Sequence, residues 1–484
     1  MKVSLDQIRD ALEGANPAVV ATCSADGVPN VAMLSQVHYI DERHVALSYQ
    51  FFSKTRRNIL DNPYAQLTVP HPRSARLYRM TLHYLRTEKS GPLFERMKAH
   101  LEGIASHTGM AGVFRLLGSD IYEVLDVEAT PGRVLPLPPP PCNPLAGLRR
   151  ACDAIARCTD VGTLVDATLD ALTTEIGSRH AAFLVHDEAA GRLYTVGSRG
   201  YEASGVGSEI AVGDGVLGVC VQARTVIRIS WLTHAYRYSR TIREVTLADG
   251  AGNVLSTEIP YPGLADPHSQ VGAPLIHAGR VLGALFVESE EDMAFGYDHE
   301  DALVALAGLV AASLRALGSM PESAQEASTE SSPTSDARPR ADAAPAAGGG
   351  PAAAPAGIPC AGPSDGRPVR VRCYAGTNSI FVDDAYIIKG VAGAVLWRLL
   401  SEHAQTGRTE FTNREIRLDP SIRLPDIVDN LEARLILLRR RLAEQACGIA
   451  LEKAGRGRLR LCVASRLELA LVEDRLDGTG RDTG

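Results

Sequence analysis

The sequence predicts a multidomain protein: a β-rich first domain, an α/β second domain with an antiparallel sheet, and a smaller α+β domain towards the C-terminus. Three observations carry that prediction. The 484 residues exceed what one hydrophobic core organises, and domains of roughly 100–200 residues give about three. Two breaks divide the chain. One is the run Pro136-Leu137-Pro138-Pro139-Pro140-Pro141, a short stiff spacer; the other is an Ala/Pro/Gly/Ser-rich stretch from Ser319 to Asp365 that includes Gly348-Gly349-Gly350-Pro351. Patterning also changes between the breaks, from closely spaced β-branched runs to helices alternating with strand pairs, and then to the order hairpin, three helices, hairpin. The expected domains are 1–135, 142–318 and 366–473, with a disordered linker over 319–365 and a frayed tail over 474–484.

Composition narrows the function classes. Hydrophobic residues make 45% and charged residues 22%, as in soluble globular proteins. A net charge of -7 argues against a protein that coats nucleic acid with its whole surface, but not against one basic domain. No stretch approaches the roughly 20 apolar residues of a membrane span, and the first residues lack the apolar segment of a signal peptide. A cytoplasmic protein with no membrane partner is therefore expected. The nine cysteines are scattered without a CxxC, which reads as reduced thiols with no metal site. No Ser-His-Asp order, Walker loop, kinase set or HExxH is present, so no catalytic residue is nominated.

In the first domain, Ala18–Cys23 is a β-branched run, Asp26-Gly27 a hairpin turn, and 28–34 the returning strand. Further strands are expected at Val45–Tyr49, Ala65–Val69, Leu77–Tyr84 and Ile121–Val127, with a helix at Leu93–Ala105. Strands this closely spaced suggest a barrel. Ser53-Lys54-Thr55-Arg56 precedes a short helical pattern. Hydroxyls, cations and the free N–H groups of a helix start are what a phosphate needs, although a basic capped helix start without ligand has the same composition. The succession AVVATCSADGVPNVAML, then HVALSYQFFSKTRRNILDNPYAQLTV, resembles the pyridoxamine 5'-phosphate oxidase-like flavin-binding split barrel. That resemblance implies FMN, with Ser53, Lys54, Thr55 and Arg56 at its phosphate and Ser35 and Gln36 beside the ring. Barrels of this type also hold F420, haem or nothing. The domain has no Trp and ends in Asp120-Ile121-Tyr122-Glu123-Val124, unlike the substrate-gripping end of the true oxidases, so vitamin B6 oxidation is not expected.

The second domain opens with two helical stretches over 145–176, continues with strands at Ala181–Asp187 and Leu193–Gly197, and closes with an apolar helix at Asp298–Leu317. GDGVLGVCVQARTVIRI resembles the pocket helix and following strand of the GAF family, and SQVGAPLIHAGRVLGALFVES its two central strands, joined by His277-Ala278-Gly279. The resemblance implies a small-molecule pocket between sheet and loops, and dimerisation through flanking helices. An unusually long segment separates these motifs. It holds Trp231, His234, Tyr236, Tyr238 and His268, a composition that suits a lid over a ligand or an insertion packed on its own small core.

The third domain predicts strands at Val369–Tyr374 and Ser379–Val382, helices at Lys389–His403, from Thr412 and at Pro425–Gln445, and a hairpin of Ile449–Glu452 with Arg458–Val463. LEARLILLRRRL and GRGRLRL resemble the recognition helix and wing of the OmpR/PhoB-type winged helix. The resemblance implies DNA contacts by Asn430, Arg434, Arg439, Arg440, Arg441, Arg456 and Arg458, with Glu432 and Leu437 also on the groove side. Those two residues, and the domain's modest positive charge, suit a protein partner as well. The whole reads as a one-component sensor and transcriptional regulator acting as a homodimer. The alternatives are an FMN-dependent oxidoreductase with regulatory domains, or a signalling scaffold whose winged helix binds protein.

Overall fold

A computed structural model describes residues 3–12, 18–34, 37–49, 54–107, 115–136, 143–230, 259–319, 368–422, 431–455 and 457–472. These fall into two compact units: the first and second predicted domains form one, the C-terminal domain the other.

The first domain is an antiparallel sheet of seven strands in the order β2-β1-β5-β6-β7-β4-β3. The strands are β1 (Ala18–Cys23), β2 (Pro29–Leu34), β3 (Val37–Asp41), β4 (His44–Tyr49), β5 (Tyr64–Pro70), β6 (Leu77–Glu88) and β7 (Gly118–Ala129). The predicted Asp26-Gly27 hairpin pairs Ala18 with Leu34 and Cys23 with Pro29. Gly27 sits at φ 84, a conformation that only glycine adopts without strain. The sheet curls round a core in which Ile8 and Leu12, from a short 3₁₀ turn at Asp6–Leu12, meet Val20, Val45, Leu67, Met80, Leu82 and Tyr122. Helix α1 (Lys54–Asp61) follows β4, and α2 (Pro92–His107) separates β6 from β7. Strand β3 was not foreseen: Val37-His38-Tyr39-Ile40-Asp41 mixes ionisable and apolar side chains and hides its alternation.

The second domain begins with α3 (Pro144–Ile155). Asn143 Oδ1 caps it by accepting from the Ala146 N–H at 3.0 Å, with Pro144 in the first helical position. Helix α4 (Val161–Asp170) runs on into a π turn at Ala171–Glu175. The sheet has the order β10-β9-β8-β13-β12-β11, from β8 (His180–Asp187), β9 (Arg192–Arg199), β10 (Glu209–Ala211), β11 (Ile227–Ile229), β12 (Ser269–His277) and β13 (Arg280–Ser289). The β12–β13 turn holds both Ala278 (φ 47) and Gly279 (φ 76) in the left-handed region, as a two-residue hairpin loop of type I′ requires. Helix α5 (Gly215–Ala223) lies against one sheet face, where Leu217, Val219 and Cys220 share a core with Leu184, Leu193, Ala284 and Phe286.

Helix α6 (Tyr297–Ser319) buries Leu303, Leu306, Ala307, Val310 and Leu314. By length and composition, Tyr297–Gly318 is long and apolar enough to cross a membrane, which corrects the expectation that no stretch approaches that limit. Its row of buried residues at helical spacing is also what a core helix needs.

The proline-rich spacer does not keep these two domains apart. Ala99 and Ile104 on α2 join the α5 core of the second domain. Gly103 must be small there, since a Cβ would stand 3.0 Å from Ile227 Cγ2. Ser106 Oγ accepts from the Gly215 N–H at 2.8 Å and so caps α5, whose own N-cap, Asp214, makes no side-chain bond. The Tyr297 ring is flanked by two guanidinium groups, Arg9 of the first domain at 3.8 Å and Arg228 of the second at 4.3 Å from its centroid.

The C-terminal unit comprises β14 (Val369–Tyr374), β15 (Ser379–Val382), β16 (Ala385–Ile388), α7 (Gly390–Thr406), β17 (Glu410–Thr412), α8 (Asn413–Leu418), α9 (Leu431–Gln445), β18 (Ile449–Lys453), β19 (Arg458–Val463) and β20 (Leu467–Val472). Its sheets have the orders β16-β15-β14-β20 and β17-β19-β18. Strands β16, β17 and β20 were not foreseen; β17 is only three residues long, and β20 pairs parallel to β14, a partner distant in sequence. The predicted helix start at Pro425 lies outside the described residues. A reciprocal capping box, Thr412 with Glu415, starts α8. Leu437, expected on the groove side of α9, is instead buried beside Leu438 in the core. Among the described cysteines six are free thiols; Cys462 departs from the all-thiol expectation and is disulfide-bonded.

Candidate functional site

The most distinctive polar group lies on the α5 side of the second sheet. Side chains alternate along a strand, so Glu288 shares a face with Ala284 and Phe286, and His180 with Ala182 and Leu184. Glu288 pairs across the sheet with His180 on β8 and with Gln270 on β12. It is 1% exposed. Its Oε1 accepts from the Leu264 N–H at 2.8 Å and its Oε2 from Gln270 Nε2 at 3.0 Å. Burial raises the Glu288 pKa, while these two donors and Tyr201 oppose the rise. Two phenols close the group. The Tyr201 ring lies 5.2 Å from that of His180, and the Tyr261 ring 6.3 Å from that of Phe286. Burial and the Glu288 charge push both phenols far above the ordinary tyrosine value. Three sealed atoms have no hydrogen-bond partner among the described residues: Gln270 Oε1, His180 Nδ1 and the Tyr261 hydroxyl; the Tyr201 hydroxyl faces Glu288. Buried polar atoms are almost always paired, so such a concentration marks a place prepared for a further group.

None of these residues was nominated from sequence. The signal was present in the run Ala284-Leu285-Phe286-Val287-Glu288, a continuously apolar stretch that ends on a carboxylate. Of the nominated lid residues, Trp231, His234, Tyr236 and Tyr238 lie outside the described residues. His268 is tied to Asp292 at 3.0 Å and Asp266 at 3.6 Å.

In the first domain, Ser35, Gln36 and Ser53 lie outside the described residues. Lys54 is exposed at the start of α1, and Thr55 Oγ1 accepts from Asn30 Nδ2 at 2.8 Å. Arg56 is engaged by neighbouring side chains. It forms an ion pair with Asp120, donates to Thr87 Oγ1 at 2.8 Å, and stacks 4.4 Å over the Tyr49 ring. Its charge is thus paired inside the barrel, whereas Lys54 stays exposed. Close by, Ser119 Oγ and the Tyr122 hydroxyl are buried without a partner among the described residues.

In the C-terminal unit, Asn430 and Arg456 lie outside the described residues. Arg439 on α9 and Arg458 on β19 are exposed, and Arg434 and Arg440 are half-buried on α9. Arg441 has a structural role instead: it donates to the backbone carbonyls of Ile387 and Tyr386, both at 3.2 Å, and its side chain is only 14% exposed. No group of three or more metal-ligating side chains occurs among the described residues.

Comparison with known proteins assigns the two N-terminal folds. Residues 4–108 match the pyridoxamine 5'-phosphate oxidase family model, and residues 158–315 match the GAF domain model. The chain is therefore multidomain, with a barrel-like first domain of the first type, an FMN-binding fold, followed by a GAF domain. Among solved structures, it is similar to an FMN-binding protein from Syntrophomonas wolfei subsp. wolfei, at 17% identity over 26% of this chain and 86% of that one, with a TM-score of 0.23. It is also similar to the GAF domain of an Acinetobacter phosphoenolpyruvate-protein phosphotransferase, at 19% identity over 37% and 97%, with a TM-score of 0.29. A third is the free methionine-R-sulfoxide reductase of Neisseria meningitidis in complex with its substrate, at 18% identity over 36% and 89%, with a TM-score of 0.28. No curated protein matches the chain.

Proposed function

We propose that this protein is a one-component regulator of the cytoplasm: its first two domains take up a flavin and a small molecule, and its C-terminal domain acts on DNA as a winged helix. The observation that carries the reading is the sealed polar cluster around Glu288 in the GAF domain, where several buried polar atoms lack a partner among the described residues. Ligand occupancy would reach the first domain through α5, because α2 packs into the same core and caps that helix.

Three further observations support the remaining parts. The match of residues 4–108 favours a flavin in the barrel, with Lys54 and Thr55 holding its phosphate. When bound, FMN would supply hydride or one-electron chemistry that the side chains lack. The order α7-β17-α8-α9-β18-β19, with β17 as third strand beside the hairpin, favours a winged helix. Arg439 and Arg458, both exposed, are the described cations best placed to meet phosphates.

Two measurements on the full chain test this. Selection from a random DNA pool, followed by anisotropy titration, should yield a salt-dependent complex; a chain that retains no DNA at low salt loses the output half of the reading. The absorbance spectrum after purification should carry oxidised-flavin bands, lost on Lys54→Ala. An FMN-dependent oxidoreductase is the second reading, favoured by the same family match; reduced nicotinamide consumption by the flavin-loaded chain would establish it.

A further inference from the structure

We infer that the sealed cluster of the GAF domain is a site for a small organic cation bearing a primary ammonium group, held by the Glu288 carboxylate and the Gln270 carbonyl between the rings of Tyr201 and Tyr261. The inference rests on the sensor reading and names the class of its ligand.

A carboxylate has about four acceptor positions. Two on Glu288 are taken, by Leu264 N–H and Gln270 Nε2, and the Tyr201 hydroxyl faces a third. Gln270 has turned its amide nitrogen to Glu288, which directs its carbonyl, an atom that only accepts, towards no partner among the described residues. The vacant positions are thus rich in acceptors and ask for a ligand with several N–H donors, which an ammonium group supplies.

Charge points the same way. No lysine or arginine among the described residues forms an ion pair with Glu288, and His180 is the basic side chain that bears on its titration. A carboxylate enclosed without a counter-ion is costly, and a cation brought by a ligand removes that cost. An anionic ligand would add a second uncompensated charge beside it. The Tyr201 and Tyr261 rings, packed beside His180 and Phe286, add aromatic surface of the kind that attracts organic cations in desolvated sites.

The local backbone packs tightly beside this spot. Leu264 belongs to the segment that leads into β12, and its N–H is what docks on Glu288. One residue before Gly263, Pro262 rests on Gly205 so closely that a Cβ there would lie 2.2 Å from Pro262 Cδ. Gly205 also has φ 58, so two independent constraints keep that position a glycine.

The test is calorimetric titration of the full chain with butylammonium, butyrate and butan-1-ol, on the wild type, Glu288→Gln and Tyr201→Phe. Butylammonium should bind saturably and in preference to the other two. Glu288→Gln should weaken it about tenfold or more while melting cooperatively, since it removes the charge and keeps the shape. Tyr201→Phe should retain the preference for the ammonium probe. Should Glu288→Gln fail to fold, the wild-type preference among the three probes decides alone. Tighter binding of butyrate or butan-1-ol overturns the cation assignment and leaves the sensor reading standing. Unchanged butylammonium affinity in a folded Glu288→Gln does the same. Failure of all three probes to bind overturns both.

Discussion

Arg56 illustrates what residue type and position can and cannot say. Its place beside Ser53, Lys54 and Thr55 predicted a phosphate ligand, yet its guanidinium reaches across the barrel to Asp120 on β7. Both side chains are mostly buried, so removing one strands the other. Asp120→Ala should therefore destabilise the first domain by about 3–5 kcal/mol, as denaturant melts would register; a loss under about 1 kcal/mol would mean that the pair is as weak as a surface one. A second residue-scale prediction concerns His38 and His100, stacked edge to face with centroids 5.9 Å apart. Burial, then His100 and Arg96, push His38 down to about 3, and burial with Arg228 pushes His100 down to about 4. The unfolded chain thus binds more protons than the folded one between those values and 6.5. The neutral pair contributes its full stability above pH 6.5, and that contribution is lost progressively as pH falls towards 4. Replacing both by Gln should flatten the acid side of a stability–pH curve; identical slopes for variant and wild type would refute the assignment. Glu288 completes the contrast. Its partners come from three separate segments, so its environment exists only after folding, whereas a carboxylate closing an apolar run was already legible in β13.

Elements were more legible than residues, for a physical reason. Hairpins, capped helices and amphipathic stretches are fixed by neighbours in sequence, and β1–β2, β12–β13, α2, α7 and β18–β19 all appear where periodicity placed them. What escaped were strands whose pairing is remote or whose alternation is weak: β3, β16, β17 and β20. The contact of α2 with the GAF core escaped too, since the apolar face of that helix does not declare its partner. Two substitutions probe this scale. Ser106→Ala removes the acceptor at the start of α5 and should cost about 0.5–2 kcal/mol, the range for losing a helix cap. Because the cap crosses between two domains, the variant should also raise amide exchange in both α2 and α5; exchange raised in α2 alone would mean that the bond does not join them. Thr412→Ala breaks the capping box of α8 and should cost about 1 kcal/mol, read in melting of the C-terminal unit.

At the scale of the whole molecule, the domain types of the two N-terminal parts were readable from motifs, and their fusion into one unit was not, because a proline-rich stretch between them implied independence. The output function is a prediction that belongs here. Arg439→Ala with Arg458→Ala should weaken DNA binding uniformly across sequences and reduce the slope of log affinity against log salt by about one per lost phosphate contact. An unchanged slope would remove both from the interface. Self-association is a further whole-molecule expectation. Edge strand β2 leaves Val31 65% and Met33 71% exposed, and a Met33→Glu variant should sediment as a smaller species if a second copy covers that edge.

The parallel pairing of β20 with β14 has a consequence for how the chain is made. Strand β14 is synthesised early in its domain, but the neighbour that covers its second edge is translated more than ninety residues later. At ribosomal rates of roughly 5–20 residues per second, that edge waits about 5–20 s, open to pairing with any other nascent strand. The unit assigned to sensing can therefore be assembled while the unit assigned to output is still incomplete. Chains stalled or clipped before Leu467 would carry finished N-terminal domains and a C-terminal unit with an open strand edge, the species that a cell's quality control would have to remove first.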